Sequence, residues 1–477
     1  MNRTTRKLAV DLMLISAMVA AFGLTSAVPA GAQGSVGQNA VFNPSGNCNQ
    51  CVGSSAFIDA YVLLSTPGLA ADLCDTLYGL FVGRQGFPPY PAGGAVIDAR
   101  GISGTALTCT KGSPWSEGGS SVTTPSTILL PPGTIVIPSS WVLPSNTHLV
   151  GEGDNDPYSS TPGTTIQVSG SFTAPGSMIQ FASASGASGI SVERLTLDGK
   201  GLGINGIVNQ YAGGSNTSAG SNTYVDHVTL YRLLGVGLQV AGSANNSGPY
   251  TNITFDTGSA TGLSTTVCAQ ITGLSATHGV RSLSCTATGY PTAAVLLDSS
   301  NNLIKDVTVA GFYSGVQVGA NAVAEGNVLM NVVGNTSNKC YPTCPTPVET
   351  VHISGNMTGG NPNVTDLSIM GVTNGKQGGT YSIRDDLTST DLTDTYVAMY
   401  VLGRQVVNGT TLVGYSRYST SPNAVGWSFG NNYPQGSCVS GSLYSCIPTS
   451  TGANCKNPNN IQTAVWGCSG SAWKSIM

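Results

Sequence analysis

Histidine is scarce in this chain, four in 477 residues, and one of the four stands beside an aspartate in YVDHVTLYRLLGVGLQV, Tyr224 to Val240. An aspartate that orients an imidazole can make a general base. Asp226 and His227 are thus the first chemical candidates, with Arg232 close behind. Two reactions define what else to seek. Glycoside hydrolysis needs two carboxyl groups flanking the bond, about 5 Å apart for retention and about 6.5–9.5 Å for inversion. Elimination at a uronic acid needs a base for the C5 proton and a cation or acid for the developing charge, commonly arginine with calcium held by carboxylates. Glu193, Asp198 and Asp256 supply further carboxyls, Arg232 is the candidate lyase base, and Arg281 and Lys305 are cations suited to an acidic sugar.

A repeat positions these residues. VERLTL (192–197), VDHVTL (225–230), YTNITF (250–255), VRSLSC (280–285), IKDVTV (304–309) and VTDLSI (364–369) each end in apolar, Ser/Thr, apolar, and AEGNVLMNVV fits more loosely. Alternation at period two buries one face of a strand and solvates the other. A unit too short to bury its own apolar face must stack on its neighbours. The expected inward columns are Leu195, Val228, Ile253, Leu283, Val307, Leu367 and Leu197, Leu230, Phe255, Cys285, Val309, Ile369. Thr196, Thr229, Thr254, Ser284, Thr308 and Ser368 form an outward hydroxyl ladder. A β-sandwich alternates too, but it does not require one triplet in one phase throughout. The pattern is that of a β-solenoid.

Coils of a solenoid stack about 4.8 Å apart. Glu193 and Asp226, on consecutive aligned coils, then lie roughly 5 Å apart. Asp198 and Asp256 lie two coils apart, roughly 10 Å, with Tyr231 between them and Arg232 next to it. Each candidate also has an ordinary reading. Asp198 precedes Gly199, a turn signal. The column of Glu193 and Asp226 elsewhere holds Thr251, Arg281, Lys305 and Thr365, as a solvated face would. His227 falls among Arg194, Asn252, Ser282, Asp306 and Asp366, a column varied enough to face solvent. The catalytic candidates are Asp198, Asp256, Asp226 and Arg232, with the Asp226–His227 pair chiefly marking a rung. His148 reads as structural, and His278 and His352 have no partner visible in the sequence, so no metal site emerges.

Charged residues make up only 8%, glycines number 63, and the formal net charge is −4. Glycine and short polar residues weaken helices, which leaves an all-β chain with many turns. The lack of a basic block argues against nucleic acid as a partner. Arg3, Arg6 and Lys7, the apolar run Leu12 to Leu24, and Ala30-Gly31-Ala32 read as a secretory signal over 1–32. The mature chain is expected to be secreted, with no membrane span. All twelve cysteines follow that signal, and an even count in a secreted chain favours disulfides. Cys48 with Cys51, Cys268 with Cys285, Cys340 with Cys344, and the group Cys438, Cys446, Cys455, Cys468 read as local staples, their connectivity open. One segment is helix-like, with Leu69, Leu73, Leu77 and Leu80 at helical spacing.

AGGAVIDARGISG (92–104), ILLPPGTIVIPSSWVLPSNTHLVGEG (128–153), VERLTLDGKG (192–201) and NSGPYTNITF (246–255) resemble the right-handed parallel β-helix proteins of the pectate-lyase-like superfamily. The similarity covers roughly residues 70 to 385. It implies that the helix containing Cys74 caps the N-terminal end of the core and that Cys74 bonds Cys109. YVDHVTL resembles the Trp-x-Asp-His segment of pectate lyases, with Tyr224 in place of the tryptophan, whereas the hydrolase signatures Asn-x-Asp, Gly-His-Gly and Arg-x-Lys are absent. The tail GSCVSGSLYSC…VWGCSGSAWKSIM is similar to hairpin modules that end some bacterial β-helix and phage-fibre proteins.

The expected organisation is a signal over 1–32, a Cys-containing leader and capping helix over 33–91, a parallel β-helix over 92–430, and a small disulfide-stapled β-hairpin module over 431–477. The resemblance implies a polysaccharide lyase or glycoside hydrolase acting on an extracellular polysaccharide, with calcium as a cofactor if it is a lyase. The rival is a non-catalytic surface, adhesion or tailspike-like protein, trimeric where a lyase would be monomeric.

Overall fold

The computed structural model describes residues 56–83, 94–117, 120–153, 163–181, 187–210, 222–242, 247–272, 279–335, 349–358, 361–365, 367–374 and 381–386, with further strand segments between 397 and 475. All belong to the unit Phe42–Met477. The signal, the Cys48/Cys51 and Cys340/Cys344 pairs, His278 and Asp366 lie outside the described residues. No helix among the described residues is long and apolar enough to cross a membrane.

Two helices precede the first long run of strands, α1 (Tyr61–Ser65) and α2 (Leu73–Val82). Asp72 starts α2, accepting from Asp75 N at 2.9 Å, while Asp75 accepts from Ala71 N at 2.8 Å. This reciprocal cap satisfies amides that have no partner in the first turn. It also places the start of α2 after Leu69, which packs against the core from outside the helix. Leu73, Leu77, Leu80 and Phe81 recur at i, i+4, i+7 and i+8 and are all buried. Asp72 further accepts from Thr110 N at 2.9 Å and Thr110 Oγ1 at 2.6 Å, beside the Cys74–Cys109 disulfide that the resemblance implies.

The chain then alternates between two parallel sheets. The first sheet holds, among others, Ser191–Leu202, Tyr224–Leu233, Tyr250–Thr261, Val280–Thr288, Leu303–Ala310, Val328–Asn335 and Ser368–Asn374. The second holds Ser177–Phe181, Asn205–Gln210, Val236–Ala241, Val267–Thr272, Ala293–Leu297, Ser314–Val318, Glu349–Ile353 and Tyr381–Asp385. Each strand pairs in parallel with its equivalent one coil later, so neither sheet can form without the other. Leu195, Val228, Ile253, Leu283 and Val307 stack in register, all within 2% of full burial. Leu197, Leu230, Phe255, Cys285 and Val309 stack likewise. Cys285 bonds Cys268 of the preceding second-sheet strand, so this staple ties the two sheets together through the core.

The last expected rung is displaced. Val332 follows Val307 in its column and Val372 follows Val332, so the loosely fitting AEGNVLMNVV unit is a full coil. Ile369 pairs with Leu329 instead, Ser368 with Val328, and Leu367 lies before the strand. Ser368 therefore falls out of the column of Thr308, which continues through Val333. VTDLSI has the right triplet, but the stack selects the register that buries Ile369 and Val372 together.

The column of Arg194 and His227 has a backbone explanation. Arg194, His227, Asn252, Ser282, Asp306 and Asn331 have φ between 52° and 55°, approximately the same left-handed turn on every coil, and strand pairing skips each of them. Gly371, not Asp366, occupies this position on the next coil, with φ 77°. The side chains vary because what the position demands is a bend. Asn, Asp and His tolerate that region best among non-glycine residues. His227→Asn is accordingly expected to leave stability within about 0.5 kcal/mol, whereas His227→Val costs about 1–2 kcal/mol. Urea titrations of the two variants would show it, and equal midpoints would remove the backbone explanation.

Near the C-terminal end, Trp427–Gly430, Leu443–Cys446, Val465–Ser469 and Ala472–Ser475 form a separate four-stranded sheet. It draws Trp427–Gly430 in from the side the sequence assigned to the β-helix. Trp466 is buried there, the Tyr444 and Trp473 rings lie 5.8 Å apart tilted at 59°, and Cys468 is disulfide-bonded.

Candidate functional site

The first-sheet candidates come together much as their columns require. Glu193 pairs directly with Asp226, and Asp198 is separated from Asp256 by Tyr231. Their hydrogen bonds decide what they can do. Asp198 is 4% exposed and forms a two-point ion pair with Arg232, through Nε at 2.9 Å and through Nη2. Gln167 Nε2 and Lys200 N complete its shell at 2.7 and 2.9 Å. The carboxylate holds the Arg232 guanidinium above its already high range, and Arg232 lies 5.0 Å from the Tyr231 ring. An arginine so paired is a fixed positive charge. Asp256 is half-buried and accepts Gly258 N at 2.7 Å.

Asp226 accepts from Thr251 Oγ1, from His227 Nδ1 at 2.8 Å and from Asn252 Nδ2 at 2.9 Å. Burial pushes its pKa up, but these bonds together outweigh burial and hold it below the usual carboxylate range. Glu193 accepts from Ser191 Oγ and Tyr224 Oη, each at 2.7 Å, and His148 Nδ1 lies 2.8 Å from the same serine oxygen. A hydrolytic triad needs the imidazole between serine and carboxylate; here serine is in the middle. Arg281 and Lys305 pair directly across adjacent coils on this face.

The second sheet brings together residues that the sequence left apart. Its outward column runs Gln180, Val208, Gln239, Gln270, Leu296, Gln317, His352 and Arg384. At its far end His352 Nε2 lies 2.9 Å from Asp386 Oδ2, and His352 Nδ1 lies 3.5 Å from Glu349 Oε1. Arg384 grips Asp386 through Nε at 3.0 Å and Nη2 at 2.8 Å. Ser314 Oγ donates to Glu349 Oε1 at 2.7 Å, and the buried Oε2 has no hydrogen-bond partner.

Burial raises the Glu349 pKa to about 7, more than Ser314 and Arg384 lower it. Burial also lowers that of His352, against the pull of Asp386. Asp386 is raised by burial but lowered further by Arg384 and His352, ending below the usual range. A carboxyl raised by burial thus faces an imidazole lowered by burial across one contact, and a guanidinium pins the third group. Strict alternation sends residues i and i+3 to opposite faces of a strand, so ETVHI gave no hint of this pairing. Aligning the second strand of each coil would have placed His352 and Arg384 in the glutamine column.

Calcium takes six to eight converging oxygens, and the first-sheet carboxylates do not fit. Asp198 is engaged by Arg232, Gln167 and Lys200, and Asp226 by three side chains. Among the described residues, the close grouping of potential ligands is Asp72 with Cys74 and Cys109, whose sulfurs are bonded to each other. A depression of about 890 Å³ near the N-terminal coils is lined by Asp59, Asp98, Arg100 and Glu152. There Arg100 bonds Asp98 at 2.8 Å and Glu152 at 3.4 Å, lowering the Asp98 pKa, and the depression contains neither candidate group.

No protein-family model matches the sequence, and neither does any curated protein. Among solved structures, the A-module of the Azotobacter vinelandii mannuronan C-5 epimerase AlgE4 is 14% identical over 73% of this chain and 96% of its own, with a TM-score of 0.37. The AlgE6 A-module from the same organism is 15% identical over 60% and 90%, with a TM-score of 0.26. Tailspike protein 3 of bacteriophage CBA120 is 11% identical over 88% and 69%, with a TM-score of 0.25. At such identities the strand registers of the chain itself are what define its architecture. Coil after coil in parallel register, bent at one left-handed residue and closed on a common core, makes this chain a parallel β-helix protein.

Proposed function

We propose that the chain is a secreted, carbohydrate-active protein that takes an extended polysaccharide along the outward face of its second sheet and acts on it as a lyase or glycosidase. The Glu349–His352–Asp386 array carries this reading. A carboxyl that keeps its proton near neutrality faces an imidazole that readily loses its own, at the end of the Gln239, Gln270, Gln317 column. General acid–base catalysis works best with groups tuned near the operating pH, and amide side chains suit sugar hydroxyls. The first-sheet ledge is the other seat for the chemistry. Arg232 would there stabilise developing negative charge, Asp256 would serve as the base, and Asp198 and Asp226 would position them.

Incubation with a polysaccharide panel, following unsaturated ends and reducing ends separately, tests the reading. Product that disappears in Glu349→Gln but persists in Asp256→Asn assigns the chemistry to the second sheet. The reverse pattern assigns it to the ledge, and no product from any polymer ends the enzymatic reading. Saturation of Asp198 and Asp226 by the protein's own groups favours a second reading, a non-catalytic binding or tailspike-like protein. That protein would retain polysaccharide without cleaving it and would sediment as a trimer.

A further inference from the structure

An exposed apolar side chain and two tyrosines fall on three consecutive coils, in the turns that lead into second-sheet strands. Leu263, 49% exposed, precedes Val267–Thr272; Tyr290 precedes Ala293–Leu297; Tyr313 immediately precedes Ser314–Val318. Both tyrosines are half-buried, and their rings lie 5.9 Å apart at 35°. The turns are fastened to one another. Gly262 N donates to Thr288 O at 2.6 Å, Thr292 Oγ1 to Ser264 O at 3.1 Å, and Tyr313 N to Pro291 O at 3.0 Å. Pro291 sits so close that a Cβ on Gly262 would lie 2.6 Å from its Cγ. The next coil continues the line, with Glu349 N donating to Tyr313 O at 3.0 Å.

The backbone at Tyr290 is unusual. Gly289 has φ 94° and Tyr290 φ 55°. A bulky residue in this region is a real outlier, costing about 1–2 kcal/mol that glycine would avoid. Such strain gathers at ligand clamps, and here it places an aromatic ring beside the Tyr313 ring.

We propose that Leu263, Tyr290 and Tyr313 form a binding subsite for the uncharged face of pyranose units in a neutral glycan, feeding the polymer toward Glu349 and His352. This rests on the polysaccharide reading above. The turn residues named here, Ser264, Pro291, Thr292 and Ser314, carry no charge, so this subsite offers nothing to a uronate carboxylate. A tyrosine is apolar along its ring and polar at its tip, which matches a sugar whose ring hydrogens face one way while its hydroxyls point outward.

Affinity electrophoresis of the full chain through gels containing hydroxyethylcellulose, galactomannan or polygalacturonate tests this. Tyr290→Gly keeps the left-handed turn while deleting the ring, Tyr313→Ala deletes the other ring, and Phe57→Ala removes an exposed aromatic elsewhere. Far-UV circular dichroism and urea midpoints confirm that each variant is folded. The expected result is retardation of the parent by a neutral polymer, weakened about tenfold in Tyr290→Gly and Tyr313→Ala and unchanged in Phe57→Ala. Retardation of the parent that survives in both tyrosine variants overturns the tyrosine subsite and leaves the polysaccharide reading standing, as does retardation by polygalacturonate alone. A parent chain retarded by none of the three polymers overturns both.

Discussion

Arg232→Met is expected to destabilise the protein by about 3 kcal/mol, the lower end of the roughly 3–5 kcal/mol for breaking a buried ion pair. The cost comes from what is left behind. Asp198 is 4% exposed and would retain only Gln167 and Lys200 N as partners. Arg232 is about one-third exposed, with 35% of its side-chain surface open, so entering water softens the loss. Asp198→Asn in the Arg232→Met background should recover much of it, because the unpaired charge disappears with its partner. Urea unfolding of the parent, both single variants and the double variant at pH 7 gives the coupling energy directly. A coupling near zero would mean that the pair adds nothing to the fold and would leave catalysis as the better explanation of its geometry.

Glu349→Gln is expected to reshape the pH dependence of stability. The folded-state pKa of about 7 lies above the ordinary glutamate value of 4.5. Between those values the folded state holds a proton that the unfolded chain releases, so the parent loses stability as pH rises through this window. The full penalty, at about 1.36 kcal/mol per unit, is about 3 kcal/mol. The introduced glutamine would still accept the Ser314 hydrogen bond and would not titrate. The variant should gain on the parent by about 3 kcal/mol at pH 8, with the gain shrinking as pH falls toward 4.5. His352 acts the opposite way. Its lowered pKa makes protonation costly in the fold, so its contribution is present above pH 6.5 and is lost as pH falls below it. The lowered pKa of Asp386 contributes above pH 3.8 and is lost at lower pH. Urea midpoints at pH 5 and pH 8 decide the matter: an equal difference between parent and variant at both would show that Glu349 does not titrate in this range.

The repeat carried most of the architecture. A triplet with period-two alternation, returning six times, can bury its apolar side only by stacking, so the inward columns from Leu195 to Val307 and from Leu197 to Val309 were legible before any coordinates. The same registers placed Glu193 against Asp226 and Asp198 two steps from Asp256. The register near the C-terminal end was not legible, because VTDLSI and the true rung both satisfy alternation and only the neighbouring coil distinguishes them.

Composition and periodicity by themselves determined the class of fold and the first-sheet columns, since each depends on patterns local to a strand, whereas the pairing of Cys268 with Cys285 was left open because it joins two sheets. Tertiary structure alone decided which polar groups are spoken for. Whether Asp198 is a free acid or half of an ion pair depends on Arg232 and Gln167, which lie 34 and 31 residues away in the chain. Glu349, His352 and Asp386 became one array because the first two meet within the strand Glu349–Ile353 and the next coil supplies the third. Hydrogen bonds and desolvation act over a few ångströms of space, and the sequence orders residues only along the chain.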